Sequence, residues 1–256
     1  MIKDIYTLFS VKNKRVLITG AANGNGEEIA RAFGLAGSKL CLVDIDGKKL
    51  SSVVNDINNY NNNYVDSFVV DLSSLNDIEN FLMSNNDFDV VINNAGVTFG
   101  NPLSKYKDID WEITHKVNLF APYKIIQTVS KKMVKRKTGS IINITSLAAE
   151  FGFPNNPAYV SSKGGLKQLT KALASDLSPF NIRVNSVGPG YIKTNMTNQS
   201  FNDNALRNER SDRTMLGRWG ESSDLVGIMI FLASDASKYI TGQDFYIDGG
   251  WTAKGL

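Results

Sequence analysis

Thr19-Gly20-Ala21-Ala22-Asn23-Gly24-Asn25-Gly26-Glu27 follows directly on the apolar run Arg15-Val16-Leu17-Ile18-Thr19 and leads into a helix-length segment, 27–36. Strand, glycine-rich turn and helix in that order form a phosphate-binding arrangement. Glycines at 20, 24 and 26 permit a tight turn, close backbone approach to a pyrophosphate, and close packing of helix on strand. The helix N-terminus adds unpaired N–H groups and a field that favours an anion. The spacing is not that of the G-x-G-x-x-G template, so the reading rests on the order of elements. Gly20, Asn23, Gly24, Asn25 and Gly26 are the candidate contacts here.

Further short apolar runs recur at 39–43, 65–70, 90–92, 140–144, 182–187 and 245–247. None alternates cleanly, as suits strands covered on both faces. Helix-length segments separate them: 27–36, one capped near Ser73, a long one at 110–137, then 158–177 and 222–233. In 158–177, Leu166, Leu169, Leu173 and Leu177 form an apolar stripe directed at a sheet. Such alternation predicts an α/β fold: a Rossmann-type, doubly wound parallel sheet of seven strands with helices on both faces. A chain of 256 residues suits a single domain of this kind, 1–256. The Asn-rich stretch 55–63 reads as a polar helix end and loop.

A net charge of +3, with no dominant block of one sign, argues against nucleic-acid or membrane partners. Lys131, Lys132, Lys135, Arg136 and Lys137 read as cations favourably placed at a helix C-terminus. Cys41 is the single cysteine, set in an apolar run, and is expected to be buried and inert. No apolar stretch approaches the ~20 residues of a membrane span, and Met1-Ile2-Lys3-Asp4 begins no signal peptide. A soluble cytoplasmic protein is expected. No His, Cys and carboxylate grouping has metal-ligand spacing, so no catalytic metal is expected.

Tyr159 and Lys163 stand four apart in the segment 158–177, one turn from each other, with Ser146 thirteen residues before the tyrosine. An ammonium one turn away favours phenolate and so suits the phenol to acid/base work. Asp44 ends the second strand, where a carboxylate can accept hydrogen bonds from both ribose hydroxyls of an adenosine. It would repel a 2′-phosphate, and Ala21-Ala22-Asn23 offers no cation in compensation, so NAD is expected rather than NADP. Asp46 is the weaker alternative. Asp71-Leu72 and Asn93-Asn94-Ala95-Gly96 fall at strand C-terminal ends, where open α/β sheets bind ligands. Asn118, inside the long helix, is ambiguous from position alone.

Together these residues make the chain resemble the classical short-chain dehydrogenase/reductase family, from about residue 12 to 250. The motifs stand in family order: Thr19-Gly20-x-x-x-Gly24-x-Gly26, Asn93-Asn94-Ala95-Gly96, Asn118, Ser146, Tyr159-x-x-x-Lys163, then Pro189-Gly190 and Thr194. Asn25 departs from the apolar residue usual there. The resemblance implies Tyr159 as acid/base and Ser146 as the group orienting the substrate oxygen. Lys163 would lower the phenol pKa and hold the nicotinamide ribose, and Asn118 would hold a water behind it. Asp71, Leu72, Asn93, Ala95 and Gly96 would approach the adenosine side, and Pro189, Gly190, Ile192 and Thr194 the nicotinamide. A homotetramer is implied as well.

Gly188-Pro189-Gly190-Tyr191-Ile192 and Gly217-Arg218-Trp219-Gly220 look like members acting on sugar acids and polyols, especially gluconate 5-dehydrogenases. The implied reaction interconverts a secondary alcohol and a ketone. A 3-oxoacyl thioester reductase is the alternative, oxidation of a sugar nucleotide or amino-sugar precursor stays open, and a non-enzymatic cofactor-binding sensor is the competing class. His115, the only histidine, reads as structural, because Tyr159 fills the acid/base position. Residues 193–218 suit a substrate lid. Its Arg207, Arg210, Arg213 and Arg218 read as a solvated mixed-charge helix, with an anionic substrate as the competing reading.

Overall fold

All seven apolar runs are strands: β1 Arg15–Thr19, β2 Lys39–Asp44, β3 Val65–Val69, β4 Val90–Asn93, β5 Gly139–Ile144, β6 Ile182–Pro189 and β7 Asp244–Ile247. The computed structural model describes residues 4–60 and 64–254, so residues 1–3 of the lead-in and 61–63 of the Asn-rich stretch lie outside the described residues. The strands form one parallel sheet in the order β3-β2-β1-β4-β5-β6-β7. The order reverses between β1 and β4, and the crevice beyond their C-terminal ends is where such sheets bind ligands.

Helices α1 Ile5–Leu8, α2 Gly24–Leu35, α3 Gly47–Tyr60, α4 Leu75–Ser84, α5 Asp108–His115, α6 Ala121–Arg136, α7 Pro157–Leu177, α8 Asn198–Asn202, α9 Asn204–Asp212 and α10 Val226–Ala233 surround the sheet. Side-chain alternation along β1 separates two cores. Val16 and Ile18 meet Ile29 and Phe33 of α2, Leu50 and Val53 of α3, and Met229 and Leu232 of α10. Leu17, on the other face, meets Ile78 and Phe81 of α4, Ile125 and Val129 of α6, and Ala174 and Leu177 of α7. Each large side chain so buried contributes about 1.5–3 kcal/mol. The strand at the β3 edge is the exception to two-sided cover, with Val69 67% exposed.

Several local expectations change. The 110–137 helix starts at Asp108 and is interrupted by a π-turn, Lys116–Phe120, where Ala121 N–H bonds to the Lys116 carbonyl five residues back. Ser74 rather than Ser73 caps α4, accepting from Asp77 N–H, while Ser73 bonds to Asp71. The polar helix end expected in the Asn-rich stretch is the end of α3, whose start went unread and whose Leu50, Val53 and Ile57 are buried at helical spacing. In α7 the face against the sheet is Leu166, Thr170, Ala174 and Leu177; Leu169 and Leu173 sit at its margin, half-buried. Thr170 is accommodated because its hydroxyl donates to the Leu166 carbonyl and accepts from Asn143. The segment 222–233 opens with a 3₁₀ turn, Ser222–Leu225, before α10. Cys41 is buried, and loss of hydration pushes its thiol up to about 12. Among the described residues, no helix is long and apolar enough to cross a membrane.

Candidate active site

One cleft of about 580 Å³ runs over the C-terminal ends of the strands, from Asp44 and Asp71 at one end to Ser146, Tyr159 and Lys163 at the other. Its middle is the glycine turn. α2 begins at Gly24, so two glycines occupy its first turn, and Asn23 at the cap position makes no side-chain cap bond. The first-turn N–H groups are therefore left for another acceptor. A Cβ on Gly26 would sit 2.0 Å from the Gly20 carbonyl oxygen, and one on Gly20 2.8 Å from Ala95 Cα. Only glycine permits this approach, which draws the helix end against the sheet. Asn25, the departure from the family pattern, accepts a hydrogen bond from Ser222 at 2.8 Å, tying the turn to the segment before α10.

Asp44 is held firmly: Ala22 N–H donates to one carboxylate oxygen at 2.9 Å and Asp46 N–H to the other at 3.0 Å. Asp46 instead accepts from Lys49 N–H and pairs with the Lys49 ammonium at 3.1 Å, outside the cleft lining. Asn93, expected at the adenosine side, does not line the cleft, and the neighbouring Asn94 does. Asn93 is buried behind the cleft and donates to Asn143, whereas Asn94 lines the cleft and donates to the Thr19 and Gly20 carbonyls at 3.0 Å. Strand alternation is the reason, since neighbouring side chains point to opposite sides. Ala95, Gly96, Leu72, Pro189, Gly190, Ile192 and Thr194 all line the cleft. So do Thr145, Asn195, Met196 and Thr197, which the sequence reading passed over. Thr145 Oγ1 is buried with no hydrogen-bond partner among the described residues.

At the reacting end, Lys163 is 3% exposed and its ammonium donates to the Ile144 carbonyl at 2.7 Å, 5.8 Å from the centre of the Tyr159 ring. Burial lowers its pKa to about 8. Tyr159 departs from expectation: burial raises its phenol pKa, and the hydrogen bond with Ser146 acts in the opposite direction. The tyrosine and lysine share one desolvated pocket, so the cost of charge governs both. Ser146 begins a short 3₁₀ turn, accepting from Ala148 N–H at 3.1 Å.

Asn118 lies in the π-turn, fully buried. Its amide accepts from Val97 N–H at 2.8 Å and donates to the Val97 carbonyl at 2.9 Å and to Ser162 at 3.1 Å. Ser162 in turn donates to the Tyr159 carbonyl. The amide thus pins the turn of α7 that carries both Tyr159 and Lys163. His115 bonds to the Trp111 carbonyl and to Ser161 at 3.0 Å, joining α5 to α7 away from the cleft lining.

Residues 193–218 leave and rejoin the body at one point, where Ile192 and Gly220 bridge in parallel and Lys193 N–H donates to the Gly220 carbonyl. Between them stand a 3₁₀ turn, α8 and α9. Asn195 donates to Asn23 at 3.2 Å, bringing the segment's start onto the glycine turn.

The dimensions and donors of this cleft suit a dinucleotide: a fixed carboxylate at one end, an uncapped helix start in the middle, and at the other a half-buried phenol and hydroxyl beside a buried ammonium. Comparison with known proteins agrees. Residues 20–252 match the family described as enoyl-(acyl carrier protein) reductase. The chain is 36% identical over 243 residues to 3-oxoacyl-(acyl-carrier-protein) reductase FabG of Chlamydia trachomatis serovar D, covering 93% of this chain and 97% of that one. It is 34% identical over 250 residues to 5-keto-D-gluconate 5-reductase of Escherichia coli K12, covering 95% and 97%. Among solved structures, a gluconate 5-dehydrogenase from Burkholderia cenocepacia J2315 in complex with NADP and tartrate superposes with a TM-score of 0.91. The two are 31% identical, over 98% of this chain and all of that one.

Proposed function

This chain belongs to the short-chain dehydrogenase/reductase family, and on that premise we propose the substrate, the cofactor preference and the residue roles that follow. It is an NAD(P)-dependent oxidoreductase that interconverts a secondary alcohol and a ketone. The substrate is a sugar acid or related polyol. What carries this reading is the joining of Asp44, the uncapped start of α2, and the trio Ser146, Tyr159 and Lys163 in one cleft. The likeness to sugar-acid enzymes over nearly the whole chain adds the substrate class. Reduction of a 3-oxoacyl thioester is the second reading, favoured by the 36% identical relative.

A bound nicotinamide dinucleotide supplies the two-electron acceptor or donor. Asp44 would hold the adenosine ribose, the first turn of α2 the pyrophosphate, and Lys163 the far ribose. In the oxidative direction Tyr159 takes the hydroxyl proton, while Ser146 holds the same oxygen against the phenol. The Lys163 ammonium stabilises the phenolate form of Tyr159 that accepts this proton and becomes the phenol, and Asn118 keeps that turn of α7 in position. Residues 193–218 close over the substrate and exclude water.

NAD is the preferred cofactor. Asp44 ends β2, and Ala21-Ala22-Asn23 holds no cation for a 2′-phosphate. Asp44→Ala is expected to shift the NAD/NADP ratio of kcat/KM towards NADP by about tenfold, roughly one charged hydrogen bond; an unchanged ratio would remove Asp44 from cofactor choice. The protein is placed in the cytoplasm, consistent with its buried lone cysteine. It is a homotetramer, a reading supported by exposed Trp111, Phe120 and Tyr123 along α5, the π-turn and α6 and by open space above Gly164 of α7.

The deciding experiment is initial-rate measurement of NADH formation across sugar acids, neutral polyols, sugar phosphates and nucleotide sugars, with acetoacetyl thioester reduction alongside. Oxidation of a sugar acid supports the reading. Turnover of the thioester alone would transfer the chain to the second one.

A further inference from the structure

Of the four arginines near the lid, two pair with carboxylates. Arg218 makes two bonds to Asp224 at 2.8 and 3.0 Å. Arg213 reaches Glu209 at 3.5 Å and lies over the Trp251 ring. Arg207 lies over Phe201, where the Lys193 ammonium is also found. Arg210 differs. Its guanidinium stands 4.4 Å over the Tyr191 ring and 5.7 Å from the centre of Trp219, half-buried, and no carboxylate pairs with it among the described residues.

Tyr191 places that cation near the chemistry. It follows Pro189-Gly190 at the end of β6, and its ring also meets Phe153, Trp219 and Trp251. Phe153 belongs to the loop between Ser146 and Tyr159. Tyr191 lies between Gly190 and Ile192, both of which line the cleft. Tyr191 therefore stands between the cleft lining and a cation that pairs with no carboxylate among the described residues. A guanidinium held by stacked rings presents a planar fork of N–H donors with its orientation already set, the geometry that matches a carboxylate.

We propose that Arg210 is the specificity-determining residue that reads the carboxylate of an acyclic hydroxy acid, selecting it over neutral polyols. The proposal rests on the sugar-acid reading above and names the residue that enforces it. Arg210 touches substrate but moves no proton, so its contribution lies in KM rather than kcat.

The test compares D-gluconate with glucitol, its neutral six-carbon counterpart, for the wild-type protein, Arg210→Gln and Arg210→Lys, all with NAD. In Arg210→Gln, kcat/KM for gluconate is expected to fall at least tenfold more than that for glucitol, mainly through KM, with Arg210→Lys intermediate. A second readout does not need turnover: quenching of tryptophan fluorescence, reporting Trp219, as gluconate titrates NAD-loaded Tyr159→Phe protein. Adding Arg210→Gln should raise that dissociation constant at least tenfold. If gluconate is oxidised and bound equally well without Arg210, the proposal is overturned while the sugar-acid reading stands. If gluconate neither binds nor reacts and an acetoacetyl thioester is reduced instead, the sugar-acid reading falls and takes the proposal with it.

Discussion

A Cβ placed on Gly26 would lie 2.0 Å from a backbone oxygen, whereas one on Gly217, at the end of the lid, would meet nothing within 4 Å. The two glycines mark two ways of building a cleft. Around Gly26, main chain packs on main chain: α2 presses on the β1 turn, and Asn94 ties Thr19 and Gly20 to β4. Around Gly217 main-chain bonds to Gly249 and Tyr191 fix the chain, and side chains supply the packing, with Tyr191, Trp219, Trp251 and Phe201 under Arg207, Arg210 and Arg213. A surface read by backbone suits a ligand that does not change, such as a dinucleotide. One built from side chains can be altered by single substitutions, as choice of substrate requires.

The chemistry sits where the two walls meet, and the largest effect is expected there. Tyr159→Phe should lower kcat by 10²–10⁴, the usual weight of a positioned acid/base. The cofactor dissociation constant, from NADH fluorescence, should stay within about threefold, since the ring and Lys163 remain. Retained turnover would move the proton-transfer role away from the phenol.

A pH experiment probes the desolvation that unites the pair. The Lys163 pKa is lowered by burial to about 8 from 10.5. Between those values the unfolded chain carries a proton that the folded chain has released, so folding stability rises with pH across that window. Below about 8 the cost of the buried ammonium is present in full. Relative to Lys163→Met, the wild-type protein should gain on the order of 3 kcal/mol from pH 7 to 10.5, measured by urea unfolding at successive pH values. Parallel curves for the two proteins would show that the ammonium is hydrated.

The smallest effect contrasts the glycines themselves. Gly26→Ala should cost about 1–3 kcal/mol in stability through overpacking, and should weaken cofactor binding by displacing α2 from the turn. Gly217 has φ of +65° but open surroundings. Gly217→Ala should therefore cost only the left-handed conformation, about 1–2 kcal/mol, with cofactor affinity intact. Equal losses of cofactor affinity in both variants would erase the distinction between the walls.

The strands, the glycine turn and the Tyr159–Lys163 pair were legible in the amino-acid order because each depends on neighbours in the chain. An apolar run needs only its own side chains to become a buried strand. Gly20, Gly24 and Gly26 need only their missing Cβ atoms, and two residues four apart in a helix share a face wherever that helix lies. Segment ends were less legible, as with Ser73 and Ser74, because both can cap and only the arriving backbone selects one. Other features depended on elements distant in sequence. Asn93 and Asn94 were separated by the direction of β4 relative to β1 and β5. Asn118 was turned towards Val97 and Ser162 by a π-turn with no sequence mark. The direction of the Tyr159 pKa was set by burial that several elements create together, and Arg210 was distinguished from its neighbours by which acids and rings came within reach. Local patterns determine backbone conformation; desolvation and the pairing of charges are properties of the assembled fold.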